Sequence, residues 1–136
     1  MNLNEIEMII KSHEGLKTKP YKDSIGKMTI GIGRNLDENG ISADEAIYLM
    51  RNDIARCEEE LRRNDWYLIQ PKNVKYALID MCFNMGIARL LGFKKMISAL
   101  RKRDYTEAAR EALDSKWASQ VGKRATNIAI MIREGL

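Results

Sequence analysis

Glu14 and Asp23 stand close together in a run that begins His13-Glu14-Gly15-Leu16, continues through Tyr21-Lys22-Asp23, and ends Thr29-Ile30-Gly31-Ile32-Gly33. Splitting an acetal requires a proton for the leaving oxygen and stabilisation or capture of an oxocarbenium-like centre. Two carboxyl groups in different environments can supply both. Helix packing around Glu14 would desolvate its carboxyl and suit it to be the acid. Asp23, on a polar turn among Lys22, Ser24 and Lys27, suits the base or electrostatic partner, and the Thr29 hydroxyl could hold a water. Taken alone, the same residues also fit two surface charges near a turn and an ordinary strand threonine.

The elements that must position them follow from periodicity. Ile6, Ile9 and Ile10 recur at helical spacing and Gly15 can adopt the left-handed stop, which predicts a first helix ending near Glu14. Lys19-Pro20 then turns the chain, and the stretch from Tyr21 to Leu36, with glycines at 26, 31 and 33, reads as a small antiparallel hairpin. Ser42 and Glu45 form a capping box for a helix that runs on an apolar stripe to about Arg62. Pro71 opens a strongly apolar helix closed by Gly86, the expected centre of the larger lobe. A short helix over Leu90 to Arg101, another capped by Asp104 and Glu107, and a tail helix from about Gln120 carrying Ile128, Met131 and Ile132 complete the chain. The fold class is therefore α+β, mainly α. A hairpin lobe over 15–41, a linking helix over 42–63, and a helical lobe over 64–136 packed with helix 1–14 make one domain of 136 residues.

Composition narrows the function. The chain is 45% hydrophobic and 31% charged with two prolines, which favours an ordered fold needing neither disulfide nor metal. Cys57 and Cys82 have no neighbouring histidine or second cysteine and read as buried thiols, so no metal or other cofactor is expected. Met8-Ile9-Ile10 is too short for a signal sequence or a membrane span, which predicts a cytoplasmic protein without stable membrane insertion. The net charge is +4, with acidic residues concentrated between Asp37 and Asp65 and the excess of lysine and arginine beyond Trp66. Such a positive half could meet nucleic acid, anionic lipid or acidic wall polymer. Its cations are not interleaved with aromatics, which argues against nucleic acid. Gly31-Ile32-Gly33 lacks the third glycine of a dinucleotide loop, and His13 has no serine or cysteine partner for a triad, although it could tune Glu14.

The ordered set Glu14-Gly15-Leu16, Tyr21-Lys22-Asp23, Gly26 and Thr29-Ile30-Gly31-Ile32-Gly33 resembles the active-site region of the phage-type muramidases, glycoside hydrolase family 24. The likeness continues through Ala77 to Gly86, Gly92-Phe93, Ser115 to Gln120 and Arg124-Ala125. It implies a lysozyme-like fold and hydrolysis of the β-1,4 bond between N-acetylmuramic acid and N-acetylglucosamine in peptidoglycan, with inversion. Glu14 would be the general acid, Asp23 the second carboxylate and Thr29 the hydroxyl on the attacking water. Phe83 matches a cleft aromatic, Arg124 an arginine that approaches the catalytic glutamate, and Gln120 a polar cleft residue. By their own residue types, Phe83 fits a helix core equally well and Arg124 a solvent-facing charge. Asn35, a further candidate for substrate binding, stands where an apolar residue is common, and Met96 and Glu111 replace small polar cleft residues, so the sugar contacts are altered. The short segment from Leu36 to Ser42 implies a reduced hairpin lobe. The resemblance also implies a monomer acting on the wall once a pore-forming holin has opened the host membrane.

Two other functions fit parts of the same pattern. A lytic transglycosylase would keep Glu14 and dispense with Asp23 and Thr29. A basic helical module binding wall polymer or nucleic acid would need none of the three, and its affinity would fall steeply with salt.

Overall fold

The computed structural model describes residues 3–135; Met1, Asn2 and Leu136, at the ends of the expected first helix and helical lobe, lie outside the described residues. The chain divides into two compact units, Met1–Tyr48 and Leu49–Leu136. Its class is α+β with helix dominant, as the periodicity predicts.

The first unit opens with α1 (Leu3–Glu14), whose described residues are all exposed, Glu14 included. The helix packing expected to desolvate Glu14 is therefore not seen. Strands β1 (Lys17–Lys22), β2 (Met28–Gly31) and β3 (Arg34–Asn35) form an antiparallel sheet in the order β1-β2-β3. The sheet has one strand more than the expected hairpin, and β1 starts earlier than Tyr21. Pro20, read from sequence as a turn, lies within β1. An edge strand can accept a residue without an amide hydrogen, and the pairing of β1 is irregular between Lys17 and Tyr21, where Pro20 falls. The β2–β3 connection passes through Gly31 and Gly33, with φ +70° and +72°, which favours glycine at both.

Asn35 then accepts the Glu38 amide on Oδ1 at 3.0 Å and caps α2 (Leu36–Asn39). Ser42 and Glu45 close the predicted capping box reciprocally: the Ser42 amide donates to Glu45 Oε1 at 2.8 Å and the Glu45 amide to Ser42 Oγ at 3.1 Å. They start α3 (Ala43–Leu61), inside which the division between the units falls. Arg34 forks onto the Glu45 carboxylate at 2.7 and 2.6 Å and also donates to the Gly40 carbonyl at 3.1 Å. This ion pair, with the capping-box amide, draws the Glu45 carboxyl down to about 2.

The second unit, after the last turns of α3, contains α4 (Asp65–Leu68), α5 (Lys72–Met85), α6 (Ile87–Leu91), α7 (Lys94–Arg101), α8 (Tyr105–Leu113), α9 (Lys116–Val121) and α10 (Lys123–Glu134). α5 carries Val74, Ala77, Leu78, Met81 and Cys82 into the core, and α10, which packs on α5 and α8, adds Ala125, Ile128, Ala129 and Ile132. Gly86, with φ +87°, ends α5 as predicted. The helix expected over Leu90 to Arg101 is two helices, because Gly92 and Phe93 interrupt it and the Phe93 amide turns back to the Leu90 carbonyl at 3.0 Å. Asp104 caps α8 through the Glu107 amide at 3.2 Å, but Glu107 pairs with Arg110 instead of completing a box. The buried Gln70 is satisfied by the Trp66 and Leu100 carbonyls and the Tyr105 hydroxyl. Both thiols are free and buried, and burial pushes Cys82 up to about 12. Among the described residues no helix is long and apolar enough to cross a membrane.

Candidate active site

Four candidate residues fall in the first unit, around the β1–β2 turn and the sheet. The turn is built by Asp23. Its Oδ1 accepts the amides of Ile25 at 3.0 Å and Lys27 at 2.8 Å, and its backbone amide donates to the Lys27 carbonyl at 2.9 Å. Both side-chain bonds fall on one oxygen, so Oδ2 keeps its acceptor capacity. Thr29 is the only buried residue among the described residues of this unit, at 3% exposure, and its hydroxyl donates to the Lys27 carbonyl at 3.0 Å. With its proton committed there, the Thr29 oxygen is left to accept. The peptide groups of Lys27 thus anchor Asp23 and Thr29 together.

Thr29 sits on the central strand opposite Tyr21 of β1 and Asn35 of β3. Cross-strand partners point to the same face of an antiparallel sheet, so these three side chains share one. Asn35 spends its carbonyl oxygen on the α2 cap and keeps its amide group for other partners.

Glu14 ends α1, and the Gly15 amide closes the last turn on the Lys11 carbonyl at 2.8 Å. Its carboxyl lies against Gly33: a β-carbon at that glycine would stand 2.5 Å from Glu14 Oε2 and 2.7 Å from Cδ. Gly33 is thus required twice, by its positive φ and by the glutamate beside it. The glycine pattern marks Gly33 as part of a hairpin with close backbone approaches, but that the neighbour is the Glu14 carboxyl depends on the folded arrangement.

The other three candidates fall in the second unit, in two separate places. Phe83 and Arg124 line one groove of about 470 Å³ with Met50, Ile54, Tyr76 and Asp80. The half-exposed Phe83 ring is on its wall, not in the core. Arg124 donates from Nε to Asp80 Oδ1 at 2.8 Å, and Nη2 lies 2.5 Å from the same oxygen. Asp80 lies within the Ala77 to Gly86 segment, and its partner is 44 positions away, beyond any local signal. Gln120 lines a different groove, beside Trp117 and Phe93. Of the two altered cleft positions, Met96 is buried in the core at 1% exposure, while Glu111 is half-buried. Among the described residues no group of three or more histidine, cysteine, aspartate or glutamate side chains could hold a metal ion.

The sequence model of the phage lysozyme family matches residues 11–133, a span that includes all seven candidates. The chain belongs to the phage lysozyme family. It is accordingly a lysozyme-type enzyme, and the similarity extends to proteins of quite different context. Probable T4-type lysozyme 1 of Dictyostelium discoideum is 27% identical over 163 residues, covering 98% of this chain and 96% of that protein. The pre-baseplate central spike protein Gp5 of Enterobacteria phage T4 is 26% identical over 164 residues, covering 98% of this chain but 28% of the spike protein. The endolysin of Acyrthosiphon pisum secondary endosymbiont phage 1 is 28% identical over 120 residues, with 86% of this chain and 81% of the endolysin covered.

Proposed function

We propose that this lysozyme hydrolyses the β-1,4 bond between N-acetylmuramic acid and N-acetylglucosamine in bacterial peptidoglycan, with inversion at the anomeric carbon. Glu14 donates its proton to the leaving oxygen. Asp23 accepts a proton from the attacking water, and the Thr29 oxygen accepts a hydrogen bond from the same water. One bond to oxygen breaks, one water is consumed, and each new chain end carries a hydroxyl. The observation that carries this reading is the shared anchoring of Asp23 and Thr29 on Lys27, which leaves one carboxylate oxygen and one hydroxyl oxygen as acceptors. A purely structural turn would need the Asp23 contacts but not the buried hydroxyl of Thr29.

On the same reading, Phe83 offers a ring face to a sugar, and Asn35, Gln120 and Arg124 offer hydrogen bonds to it. The protein acts as a monomer without nucleic acid and without stable membrane insertion. It is made in the host cytoplasm and reaches the wall after a holin opens the membrane.

Product analysis tests the assignment. Digestion in heavy-oxygen water should place one labelled oxygen at each new reducing end, and the first anomer formed should be α. Anhydro sugars without label would establish a lytic transglycosylase. A β product would replace inversion by retention, which needs a gap between carboxyl groups of about 5 to 5.5 Å instead of about 6.5 to 9.5 Å.

A further inference from the structure

A single peptide group joins the two residues assigned to the water side of the reaction. The Lys27 carbonyl accepts the Asp23 amide at 2.9 Å and the Thr29 hydroxyl at 3.0 Å. The other end of that same peptide is the Met28 amide, which donates to Asp37 Oδ2 at 2.9 Å. Because the peptide bond does not rotate, Asp37 and the Thr29 hydroxyl are connected through one rigid plane.

The sheet itself does not supply this acceptor. β2 and β3 pair Thr29 with Asn35 and Ile30 with Arg34, so the next partner, that of Met28, would be position 36. There the chain has already turned into α2, which starts at Leu36. The Asp37 carboxylate takes the bond that a longer β3 would have taken. Its neighbour Glu38 reaches the same place, with Oε1 3.6 Å from Lys27 Nζ. α2 therefore holds Lys27 and Met28 by two side chains, and Asn35, which caps α2, stands across from Thr29. The two contacts differ in consequence. An ammonium on a flexible four-carbon stem passes little restraint to the backbone, whereas a bond to the amide fixes the plane of the peptide and polarises its carbonyl. A carbonyl so held binds the Thr29 proton more firmly and keeps the free lone pairs of the hydroxyl in one direction.

We infer that Asp37 is a positioning residue for the hydrolysis, orienting the Thr29 hydroxyl through the Lys27–Met28 peptide. This rests on the proposed role of Thr29 on the attacking water. Asp37 is exposed and acts at one remove, on the backbone of β2 and not on the reacting atoms. A water held in the wrong direction slows the chemical step and leaves the binding of the glycan as it was.

The test measures kcat and KM on soluble peptidoglycan strands for Asp37→Ala and Asp37→Asn, each alone and in a Thr29→Val background. Asp37→Ala should lower kcat about tenfold, the scale of one hydrogen bond to a charged group, with KM unchanged. Asp37→Asn, whose side-chain oxygen can still accept the Met28 amide, should recover most of that loss. In the Thr29→Val background Asp37→Ala should lower kcat no further, since the hydroxyl it orients is gone. A full tenfold loss in that background, or a rise in KM with kcat unchanged, overturns the positioning role while the muramidase reading stands. Inactivity of the wild type overturns the muramidase reading instead, and the link from Asp37 to Thr29 is then decided by nuclear magnetic resonance. The three-bond couplings of Thr29 should report one χ1 rotamer in the wild type and an average of rotamers in Asp37→Ala. The same single rotamer in both proteins overturns the link.

Discussion

The two units of this lysozyme are held together by different forces. Among its described residues the first unit buries only Thr29; the second buries a continuous cluster that includes Leu61, Trp66, Leu78, Met81, Leu100 and Ile128. The first unit is organised by directed polar contacts: Asp23 on the β1–β2 turn, Asn35 on α2, and Arg34 on Glu45. Hydrophobic burial tolerates substitution if volume is kept, whereas a directed contact fixes an oxygen in place. The unit with the proposed acid and base is therefore built for position, and the helical unit for stability. Their ion pairs repeat the contrast. Arg34–Glu45 holds the glutamate of a capping box, while Arg124–Asp80 sits at the edge of a groove with Phe83.

The contrast can be broken by substitutions, and the largest expected effect on stability lies in the helical core. Leu78 is fully buried on α5, so Leu78→Ala should cost about 2–5 kcal/mol in chemical denaturation, with turnover per folded molecule little changed. A large loss of turnover in the folded fraction would mean that the helical core positions the chemistry as well. Gly33→Ala places a methyl group in the space of the Glu14 carboxyl at a left-handed backbone position. It should cost about 1–2 kcal/mol from the backbone alone and lower activity far more than that loss of stability explains. Equal effects on both would remove the special relation between Gly33 and Glu14.

The smallest effect is in pH. The Glu45 carboxyl titrates at about 2 in the folded protein, below its ordinary value, so the unfolded chain binds more protons between that ordinary value and 2. The contribution of Glu45 to stability is complete above about pH 4.5, the ordinary carboxyl value, and is lost as the pH falls towards 2. Glu45→Gln should flatten that part of the curve of melting temperature against pH; an unchanged slope would deny the ion pair its part in holding the first unit.

How much of this was legible in the sequence follows from the range of the forces involved. The Ser42–Glu45 box, the Gly86 stop and the apolar stripe of α5 depend on residues within one or two turns of each other, and all three were readable. Pro20 misled because its turn preference is local, while its place on an edge strand depends on the pairing of β1 with β2. The break at Gly92-Phe93 was hidden by helical spacing that continues across it. Arg124–Asp80 and Trp117–Asn84 join residues 44 and 33 positions apart, and nothing local announces either. In the proposed site the motif gave Glu14, Asp23 and Thr29 as residue types. It did not give the shared anchor on Lys27, which needs the turn itself.

The central claim is that Glu14 serves chemistry and not the fold, and one substitution tests it directly. Glu14→Gln keeps the size and shape of an exposed side chain at the end of α1. Its initial rate of peptidoglycan hydrolysis should fall by about 10²–10⁴, the range general acid catalysis supplies, while the melting temperature stays at the wild-type value. Wild-type turnover in that variant would contradict the account.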